Sequence, residues 1–255
     1  GLFVCVTGVS GSGKSTLVYA FEQWMERQGL DCVTLNLDPG AEQVPYEPDV
    51  DIRDWVRLSE VMEDYGLGPN GAQVVCSDLM ALNVKEWGEV VQGFESNYML
   101  IDTPGQMELF TFRQSSSVIM DHLGRESSYM VFLSDPHLSR TPNGFVSNLM
   151  LCALTHFRFS VPILNTLSKA DLLSGEERDM IMEWSAAPDT LNSDLMEQGF
   201  NSQSMINLEF FKAMENMGMF RNLVPVSSEE IEGMEDIYDG IQRPLELIQE
   251  EARSV

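Results

Sequence analysis

The segment from Gly8 to Ser15 contains the residues whose types and spacing are best suited to chemistry. It reads Gly-Val-Ser-Gly-Ser-Gly-Lys-Ser, which fits the pattern G-x-x-x-x-G-K-S, and it directly follows the apolar run Leu2 to Thr7. Glycines permit backbone angles that side chains would block, so successive N–H groups of such a loop can point at a polyphosphate lying at a helix N-terminus. In this pattern the lysine reaches the β- and γ-phosphates and the serine holds a magnesium ion. The predicted phosphate-contacting residues are Gly8, Ser10, Gly11, Ser12, Gly13, Lys14, Ser15 and Thr16.

The alternative for this segment is an ordinary glycine-rich turn. A plain turn has no need of lysine and serine at these positions, and here a strand-like run precedes the segment and a helical pattern follows it. The helical pattern is set by Leu17, Phe21, Trp24 and Met25. A phosphate-binding loop is therefore the better interpretation.

A second element follows the apolar run Tyr98 to Ile101. It reads Asp-Thr-Pro-Gly from Asp102 to Gly105 and has the Asp-x-x-Gly form that P-loop NTPases place at the end of a strand. In those proteins the aspartate orients the water ligands of magnesium and the glycine N–H senses the γ-phosphate. Gln106 and Glu108 lie just beyond, where polar side chains can orient an attacking water. The alternative is a Pro-Gly turn with an aspartate cap.

The segment from Thr166 to Asp171 resembles the guanine-reading pattern N/T-K-x-D, with Ser168 where asparagine or threonine is usual. The carboxylate of Asp171 can accept two hydrogen bonds from guanine N1–H and N2–H, a pair that adenine does not offer. We expect Lys169 to lie along the base and Ser227 to belong to the loop on its other side. Ser-Lys-x-Asp is also common at the start of a surface helix. The guanine-binding interpretation therefore rests on the order and spacing of this segment relative to the phosphate loop and Asp102. The predicted ligand is GTP or GDP.

Asp38 follows the apolar run Cys32 to Leu37. An aspartate at the carboxyl end of a parallel strand faces the edge of the sheet where ligands bind. Asp38 is therefore predicted to join Ser15 and Asp102 around the magnesium ion or to polarise a water. An isolated Asp-Pro-Gly would be a turn, but the expected position beside the phosphates favours the functional role.

Short apolar runs rich in β-forming residues alternate with longer helix-like stretches. This alternation predicts an α/β fold of the P-loop NTPase type, with a mostly parallel sheet flanked by helices. One domain over 1–255 is expected, with an insert at about 45–96 and a helical insert at about 176–222 that is interrupted by Pro188 and Gly199. The predicted strands are Leu2 to Thr7, Cys32 to Leu37, Tyr98 to Ile101, Tyr129 to Leu133, Val161 to Leu167 and Leu223 to Val226.

The helical insert is rich in methionine. Flexible filling of the core is the expected role for these side chains, and an adaptable partner-binding surface is the alternative. They are Met180, Met182, Met196, Met205, Met214, Met217 and Met219.

Acidic residues outnumber basic ones by 40 to 15, which gives a net charge of -25. Such a surface repels nucleic acid and anionic membranes, so neither is an expected partner. A salty cytoplasm and a solvated acidic surface of no special function explain this charge equally well. No apolar run approaches the roughly 18 residues of a membrane span, and the start of the chain has no signal-peptide layout. A soluble, cytoplasmic protein is expected.

The cysteines and histidines show neither C-x-x-C nor H-E-x-x-H spacing. The cysteines are therefore predicted to be reduced core residues, and no metal beyond the magnesium of the nucleotide is expected. These residues are Cys5, Cys32, Cys76, Cys152, His122, His137 and His156.

Within the first insert, the helical stretch Asp54 to Tyr65 is followed by a segment rich in glycine, Gly66 to Ala72. Taken alone, this segment is a rigid turn in which Asn70 caps a helix beginning near Gly71. Three further segments accompany it: Asn36 to Glu42, Asp49 to Arg53 and Asp102 to Phe112. Together with them, Gly68-Pro69-Asn70 resembles the signature of the GPN-loop GTPases. The resemblance covers nearly the whole chain, which is most similar to the archaeal members.

This resemblance implies a homodimer in the SIMIBI branch of P-loop proteins, with Gly68, Pro69 and Asn70 of each subunit entering the neighbouring site. Asn70 would there contact the γ-phosphate or the released phosphate. The resemblance also implies that Gln106 and Glu108 order the water and that Asp38 lies in the first switch.

Four residues bear on the expected hydrolysis rate or depart from the family pattern. Asn70 cannot supply the positive charge of an arginine finger, which is worth roughly 10³ to 10⁵ in rate, so a slow basal GTPase is expected. Arg113 is a candidate extra cation, with a structural salt bridge as the favoured alternative. Val9 stands where the family usually has proline, without expected harm to a loop that works through its backbone. Gly40 replaces the commoner alanine and is expected to loosen the first switch.

Three functions fit these motifs. The first is a Mg-dependent GTP hydrolase whose dimer changes shape between its GTP and GDP states. The second is a nucleotide-gated scaffold in which hydrolysis is incidental and the methionine-rich helices hold a client; the resemblance suggests a client related to RNA polymerase assembly. The third, a small-molecule ATP-dependent kinase, needs a basic lid that the few cations after Asp102 do not support.

Overall fold

The protein's structure, a computed structural model, describes residues 1–197, 202–216 and 223–242. Its strands are β1 Leu2–Gly8, β2 Cys32–Asn36, β3 Val50–Asp51, β4 Tyr98–Asp102, β5 Ser128–Ser134, β6 Ile163–Leu167 and β7 Val224–Pro225. They form one sheet in the order β3-β2-β4-β1-β5-β6-β7, and every neighbouring pair is parallel. The predicted α/β fold is confirmed. All six predicted strands are present, whereas β3 is a further edge strand of two residues, too short for any period to be recognised.

Helices cover both faces of this sheet. They are α1 Lys14–Arg27, α2 Leu58–Tyr65, α3 Pro69–Leu82, α4 Val84–Gln92, α5 Met107–Thr111, α6 Gln114–Leu123, α7 Pro142–Phe159, α8 Gly175–Ala186, α9 Pro188–Glu197 and α10 Ser202–Asn216. Residues 234–242 are also helical. Among the described helices, none combines the length and apolar character needed to cross a bilayer.

Strand β1 is buried along its whole length and contributes to two cores. Phe3 and Cys5 pack in a core with Trp87 of α4, while Val4 and Val6 pack in another with Phe21 of α1. Successive strand residues point to opposite faces, so burial on both sides requires the continuous apolar run that the sequence shows. The loop after β1 is thereby fixed to the centre of the sheet.

The helical insert has a core of its own against α7. Trp184, Leu191 and Phe211 lie in it, and the indole N–H of Trp184 donates to Asp194 at 2.6 Å. The methionines of the insert differ in burial: Met214 is buried and fills the core as expected, whereas Met196 and Met205 are about half exposed, at 50% and 55%. Met217, Met219 and Gly199 lie outside the described residues.

Two local predictions in the first insert were wrong. The stretch from Asp54 to Tyr65 is not one helix, because Ile52–Asp54 form a separate 3-10 turn and α2 begins at Leu58. Asn70 does not cap the next helix. Helix α3 begins at Pro69 with Gly68 as its N-cap, since the fixed φ angle and missing N–H of proline suit the first helical position. Asn70 therefore lies in the first turn.

The described residues contain no disulfide: Cys5, Cys76 and Cys152 are buried and Cys32 is half-buried, and each is a reduced thiol. Burial raises the pKa of Cys5 to about 12, so this thiol stays protonated in the core.

Candidate nucleotide site

The predicted phosphate loop joins β1 to α1 at the carboxyl edge of the sheet. Gly13, the N-cap of α1, has a left-handed φ of 95° that disfavours residues with a side chain. At Gly8 a Cβ atom would lie 2.9 Å from the carbonyl oxygen of Leu133 and 2.8 Å from Ser12 Oγ. The loop is thus packed tightly against β5, and its glycines at these two positions are structural requirements.

A cavity of about 320 Å³ lies over the start of α1. Of the predicted phosphate contacts, Ser12 lines an adjoining cavity and Ser10 is exposed outside both. The residues that line the first cavity are Gly11, Gly13, Lys14, Ser15, Thr16, Asp38, Thr103, Gly105 and Lys169. We call it the phosphate cavity, because free N–H groups at a helix N-terminus and a lysine together form an anion site.

Lys14 is buried at the floor of this cavity. Its ammonium donates to the carbonyl oxygens of Gly8 at 3.0 Å, Val9 at 3.1 Å and Gly105 at 3.2 Å. Burial lowers the pKa of Lys14, while the carboxylates of Asp102 and Asp38 oppose that shift. The ammonium therefore links the phosphate loop to the segment after β4.

Asp102 ends β4 and is 1% exposed. Burial raises the pKa of Asp102 to about 6, against the lowering influence of the nearby Ser15 and Tyr46 hydroxyls. One carboxylate oxygen, Oδ2, accepts a hydrogen bond from Tyr46 Oη at 3.1 Å. The other, Oδ1, is buried and has no partner of standard hydrogen-bond geometry among the described residues. A buried carboxylate oxygen without a donor is unfavourable unless a ligand completes it.

Asp38 connects the two segments that flank the phosphate cavity. Its Oδ1 accepts from the N–H of Gly40 at 2.8 Å and its Oδ2 from the N–H of Gly105 at 2.9 Å. The Gly105 N–H is the group predicted to sense the γ-phosphate, so a carboxylate of the protein holds the donor expected for the nucleotide. The buried side chain of Asn36 fixes the start of this segment by accepting from the N–H of Asp38 at 3.0 Å.

The edge strand β3 supports the same segment. Asp51 accepts from Asn36 Nδ2 at 3.0 Å and pairs with Arg53, whose Nη1 donates to the carbonyl of Ala41 at 2.9 Å. Partial burial raises the pKa of Asp51, but hydrogen bonds from Arg53 and Asn36 outweigh it and lower that pKa overall. The segment Asp49 to Arg53, noted in the sequence only for its resemblance, thus acts as a clamp on residues 36–42.

The adjoining cavity, of about 250 Å³, is suited to a base. Asp171 lines it, while Ser168 is buried and bonds through N and Oγ to the carbonyl of Ser134, at 3.0 and 3.1 Å. Lys169 has a left-handed φ of 49° and reaches back to the carbonyl of Gly11 at 2.7 Å. The full lining is Ser12, Gly13, Thr16, Leu17, Leu133, Ser168, Lys169, Asp171, Leu172, Val226, Ser228 and Glu229.

Ser227 does not line this base cavity. Its side chain is buried and accepts from the N–H of Glu230 at 3.1 Å, while the neighbouring Ser228 faces the cavity. The predicted loop Pro225-Val226-Ser227-Ser228 therefore does reach the base cavity, but through Val226 and Ser228 and not through Ser227.

The loop that opens α3 lies beside the segment that follows β4 in the same chain, residues 103–113. Asn70 Oδ1 accepts from Gln106 Nε2 at 3.4 Å, and both side chains are partly or fully exposed. Further along α3, Asp78 forms a 2.7 Å ion pair with Arg113, which confirms the structural salt bridge favoured for that arginine. Glu108 is exposed in the first turn of α5.

The residues present fit a magnesium ion held jointly with a nucleotide. Asp102 has a buried oxygen without a hydrogen bond of standard geometry and lies near the Ser15 hydroxyl, and Ser15 and Asp38 line the phosphate cavity. The described residues include no cluster of three or more histidine, cysteine or acidic side chains that would hold a metal alone. Magnesium at nucleotide sites takes one or two protein ligands plus phosphates and water, and Ser15 and Asp102 would supply the protein share of that set.

Comparison with known proteins places this geometry in a family. A family model described as a conserved hypothetical ATP binding protein matches residues 6–246. A GPN-loop GTPase of Pyrococcus abyssi is 35% identical over 180 residues, covering 70% of this chain and 71% of that protein. The chain belongs to the GPN-loop GTPase family. GPN-loop GTPase 3 of Saccharomyces cerevisiae is 30% identical over 241 residues, with 92% and 88% covered.

The structural match agrees with this GPN-loop GTPase assignment. The crystal structure of the apo GTPase from Pyrococcus abyssi superposes with a TM-score of 0.85 at 30% identity, over 93% of this chain and 95% of that one. The match to GPN-loop GTPase 1 of Dictyostelium discoideum, at 27% identity, covers 93% of this chain and 60% of that protein. The resemblance predicted from the motifs is therefore confirmed at the level of family and fold.

Proposed function

We propose that this chain is a Mg²⁺-dependent GTP-binding and GTP-hydrolysing protein. The observation that carries the proposal is that two adjoining cavities, one suited to phosphates and one to a base, lie at the carboxyl edge of the sheet. Lys14 and Ser15 line the phosphate cavity, the buried carboxylate of Asp102 lies next to both of them, and Asp171 lines the cavity beside it. The two cavities share Gly13, Thr16 and Lys169, as expected for one ligand that spans them.

The hydrogen bonds around the phosphate cavity suggest the order of events. On GTP binding, Lys14 exchanges the three carbonyl oxygens that it contacts for β- and γ-phosphate oxygens. The γ-phosphate replaces the Asp38 carboxylate at the N–H of Gly105, which frees that carboxylate. A bound magnesium ion would be held by Ser15 and Asp102 and would neutralise phosphate charge. Asp38, with Gln106 and Glu108, then orients the attacking water and accepts its proton.

Replacing Asp171 with asparagine tests the base assignment. The amide keeps the shape but turns one acceptor into a donor, which suits xanthine in place of guanine. GDP affinity is expected to fall about 100-fold or more and XDP affinity to rise, because unpaired buried polar groups cost a few kcal/mol. Competition binding of GDP, XDP and ADP measures this selectivity, and Asp179→Asn on exposed α8 is the control. Equal binding of ADP and GDP by the wild-type chain would revive the kinase alternative and the adenine reading of the family model.

We extend the proposal to a homodimer in which Asn70 acts in the neighbouring site. Asn70 begins an exposed helix turn beside Gln106, so a second copy can approach it without disturbing a core. A neutral donor at the transferring phosphate is worth about 10² to 10³ in rate.

The first experiment on the dimer is single-turnover hydrolysis of Mg-GTP across a range of protein concentrations. The wild-type rate is expected to rise with concentration, and Asn70→Ala is expected to reduce it by about 10². Asn83→Ala, at the start of α4, is the matched asparagine control. Mixing Asn70→Ala with Lys14→Ala protein should restore partial activity if Asn70 acts in trans. If the hydrolysis rate depends neither on protein concentration nor on Asn70, the loop Gly68-Pro69-Asn70 has no catalytic role and only begins helix α3.

A nucleotide-gated scaffold is a second candidate function. Met196, Met205 and Ile206 in the helical insert are 50–57% exposed, and flexible apolar side chains of this kind suit an adaptable protein client. A variant that binds GTP without hydrolysing it separates the candidates. Client capture that survives in this variant would favour the scaffold over the hydrolysis-driven switch.

A further inference from the structure

Tyr46 contacts the candidate magnesium site but was not among the residues that the sequence singled out. It lies in the segment between β2 and β3, is 7% exposed, and packs in the core with Phe21 and Met25 of α1. Its hydroxyl donates to Asp102 Oδ2 at 3.1 Å, across 56 positions of the chain. The ring of Tyr46 packs like an apolar side chain, while its hydroxyl supplies one hydrogen-bond donor inside the core, at Asp102.

We propose that Tyr46 is the positioning residue of the magnesium site, holding Asp102 so that its second oxygen faces the metal's shell. The inference rests on the proposed function and deepens it. Oδ2 accepts a hydrogen bond from Tyr46, whereas Oδ1 is buried and, although the Ser15 hydroxyl lies near this carboxylate, makes no hydrogen bond of standard geometry among the described residues. An ionised carboxylate with one oxygen fixed cannot rotate freely, and its remaining oxygen is left for a ligand.

The alternative partners of Asp102 show why a neutral donor is needed. Lys14 is the cation that lies near Asp102, but its ammonium donates to three backbone carbonyls and is needed for phosphate. In a direct Asp102–Lys14 ion pair, the ammonium would not be available for phosphate and the carboxylate would not be available for the metal. The Tyr46 hydroxyl holds the carboxylate without neutralising it, which is the general role of groups that orient metal ligands from behind.

Tyr46 has a second connection to the site through the backbone. The segment from Asp38 to Tyr46 is held near its start by Asn36 and near its middle by Arg53. The buried ring of Tyr46 anchors its far end to α1 and β4. The same hydrogen bond therefore joins the end of the first switch to the aspartate that serves the metal.

The test is the variant Tyr46→Phe, which removes the hydroxyl and keeps the ring. Release of a fluorescent GDP analogue is measured while Mg²⁺ is titrated and also in excess EDTA. The Mg²⁺ concentration that half-maximally slows release is expected to rise about 10- to 100-fold, the usual effect of removing a group that orients a metal ligand. Release in EDTA should be unchanged, because no phosphate or base contact is lost.

Tyr98→Phe is the matched control. Tyr98 packs in the same core, is 5% exposed, and its hydroxyl accepts from Gln242 Nε2 at 3.0 Å, so the variant also removes a hydrogen-bonded tyrosine hydroxyl. It should leave the Mg²⁺ dependence unchanged. Thermal unfolding of both variants without nucleotide reports any general loss of packing.

The outcomes separate the inference from the function that it rests on. If the rate of GDP release from the wild-type chain does not depend on Mg²⁺, the proposed magnesium-dependent function is wrong. If the wild type depends on Mg²⁺ but Tyr46→Phe matches it, or if Tyr98→Phe shifts equally, Tyr46 has only a packing role and the inference is wrong.

Discussion

Replacing Lys14 with alanine is expected to weaken the binding of GDP and GTP by about 10²- to 10³-fold, since truncating one partner of a hydrogen-bonded charge pair costs about 2–5 kcal/mol. The ammonium is buried at the phosphate cavity, in a chain whose net charge of -25 repels the nucleotide. No other lysine or arginine among the described residues lines the phosphate cavity except Lys169, which reaches Gly11 at its rim. Calorimetric titration with Mg-GDP measures the loss.

Lys85→Ala is the control for this prediction. Lys85 is exposed on α4 and lines neither the phosphate cavity nor the base cavity, so the variant removes the same charge from the chain without touching either. It should bind GDP like the wild type. Equal weakening in both variants would point to overall charge, and unchanged affinity in Lys14→Ala would remove the phosphate loop from the binding site.

Replacing Asp38 with alanine is expected to separate binding from hydrolysis. Loss of a group that positions and deprotonates the water costs about 10² to 10⁴ in rate. Affinity for a non-hydrolysable GTP analogue should hold or improve, because the carboxylate no longer occupies the N–H of Gly105, which it contacts at 2.9 Å. Single-turnover hydrolysis and analogue binding, measured on the same preparation, give the two numbers.

Asp38→Asn sharpens the interpretation. The amide oxygen can still accept from Gly105 or Gly40 but carries no charge, so hydrolysis should fall while analogue affinity stays near wild type. Asp54→Ala, at an exposed position beyond the clamp, is the control. If Asp38→Ala weakened analogue binding and left the rate per bound GTP intact, the carboxylate would serve as a ligand and not as the group that activates water.

The central strands and the phosphate loop were predictable because their signals are local. Residues Leu2 to Ser15 predict a buried strand, a glycine loop and a helix start within fourteen consecutive positions. Asp102 and Asp171 each follow an apolar run, so they mark the carboxyl ends of two further strands. Strand β3 was not predictable, because two residues show no period and pair only through the edge of β2. The start of α3 differs from the prediction because asparagine is a common N-cap, whereas Pro69 here takes the first helical position and leaves Asn70 inside the first turn.

The polar contacts around the site were the least predictable part. Three hydrogen bonds form only when the sheet brings separate segments together. They join Tyr46 to Asp102, Arg53 to Ala41, and Gly105 to Asp38. A single sequence carries no signal for a tyrosine that bonds 56 positions away. Even so, the alternation of charged Asp49, Asp51 and Arg53 with apolar Val50 and Ile52 is a local signal for an extended, half-buried segment with a charged face.

Helix α3 contacts the segment that follows β4, residues 103–113, at two points. Asn70 meets Gln106 near its start and Asp78 meets Arg113 in its third turn. The attachments are eight residues apart, or about 12 Å along a helix axis. Two fixed points on a rigid rod constrain rotation as well as translation. If γ-phosphate binding displaces residues 106–113, we expect the Asn70–Gln106 and Asp78–Arg113 contacts to move α3 with them, so that the state of the nucleotide site would be transmitted to the exposed loop Gly68-Pro69-Asn70.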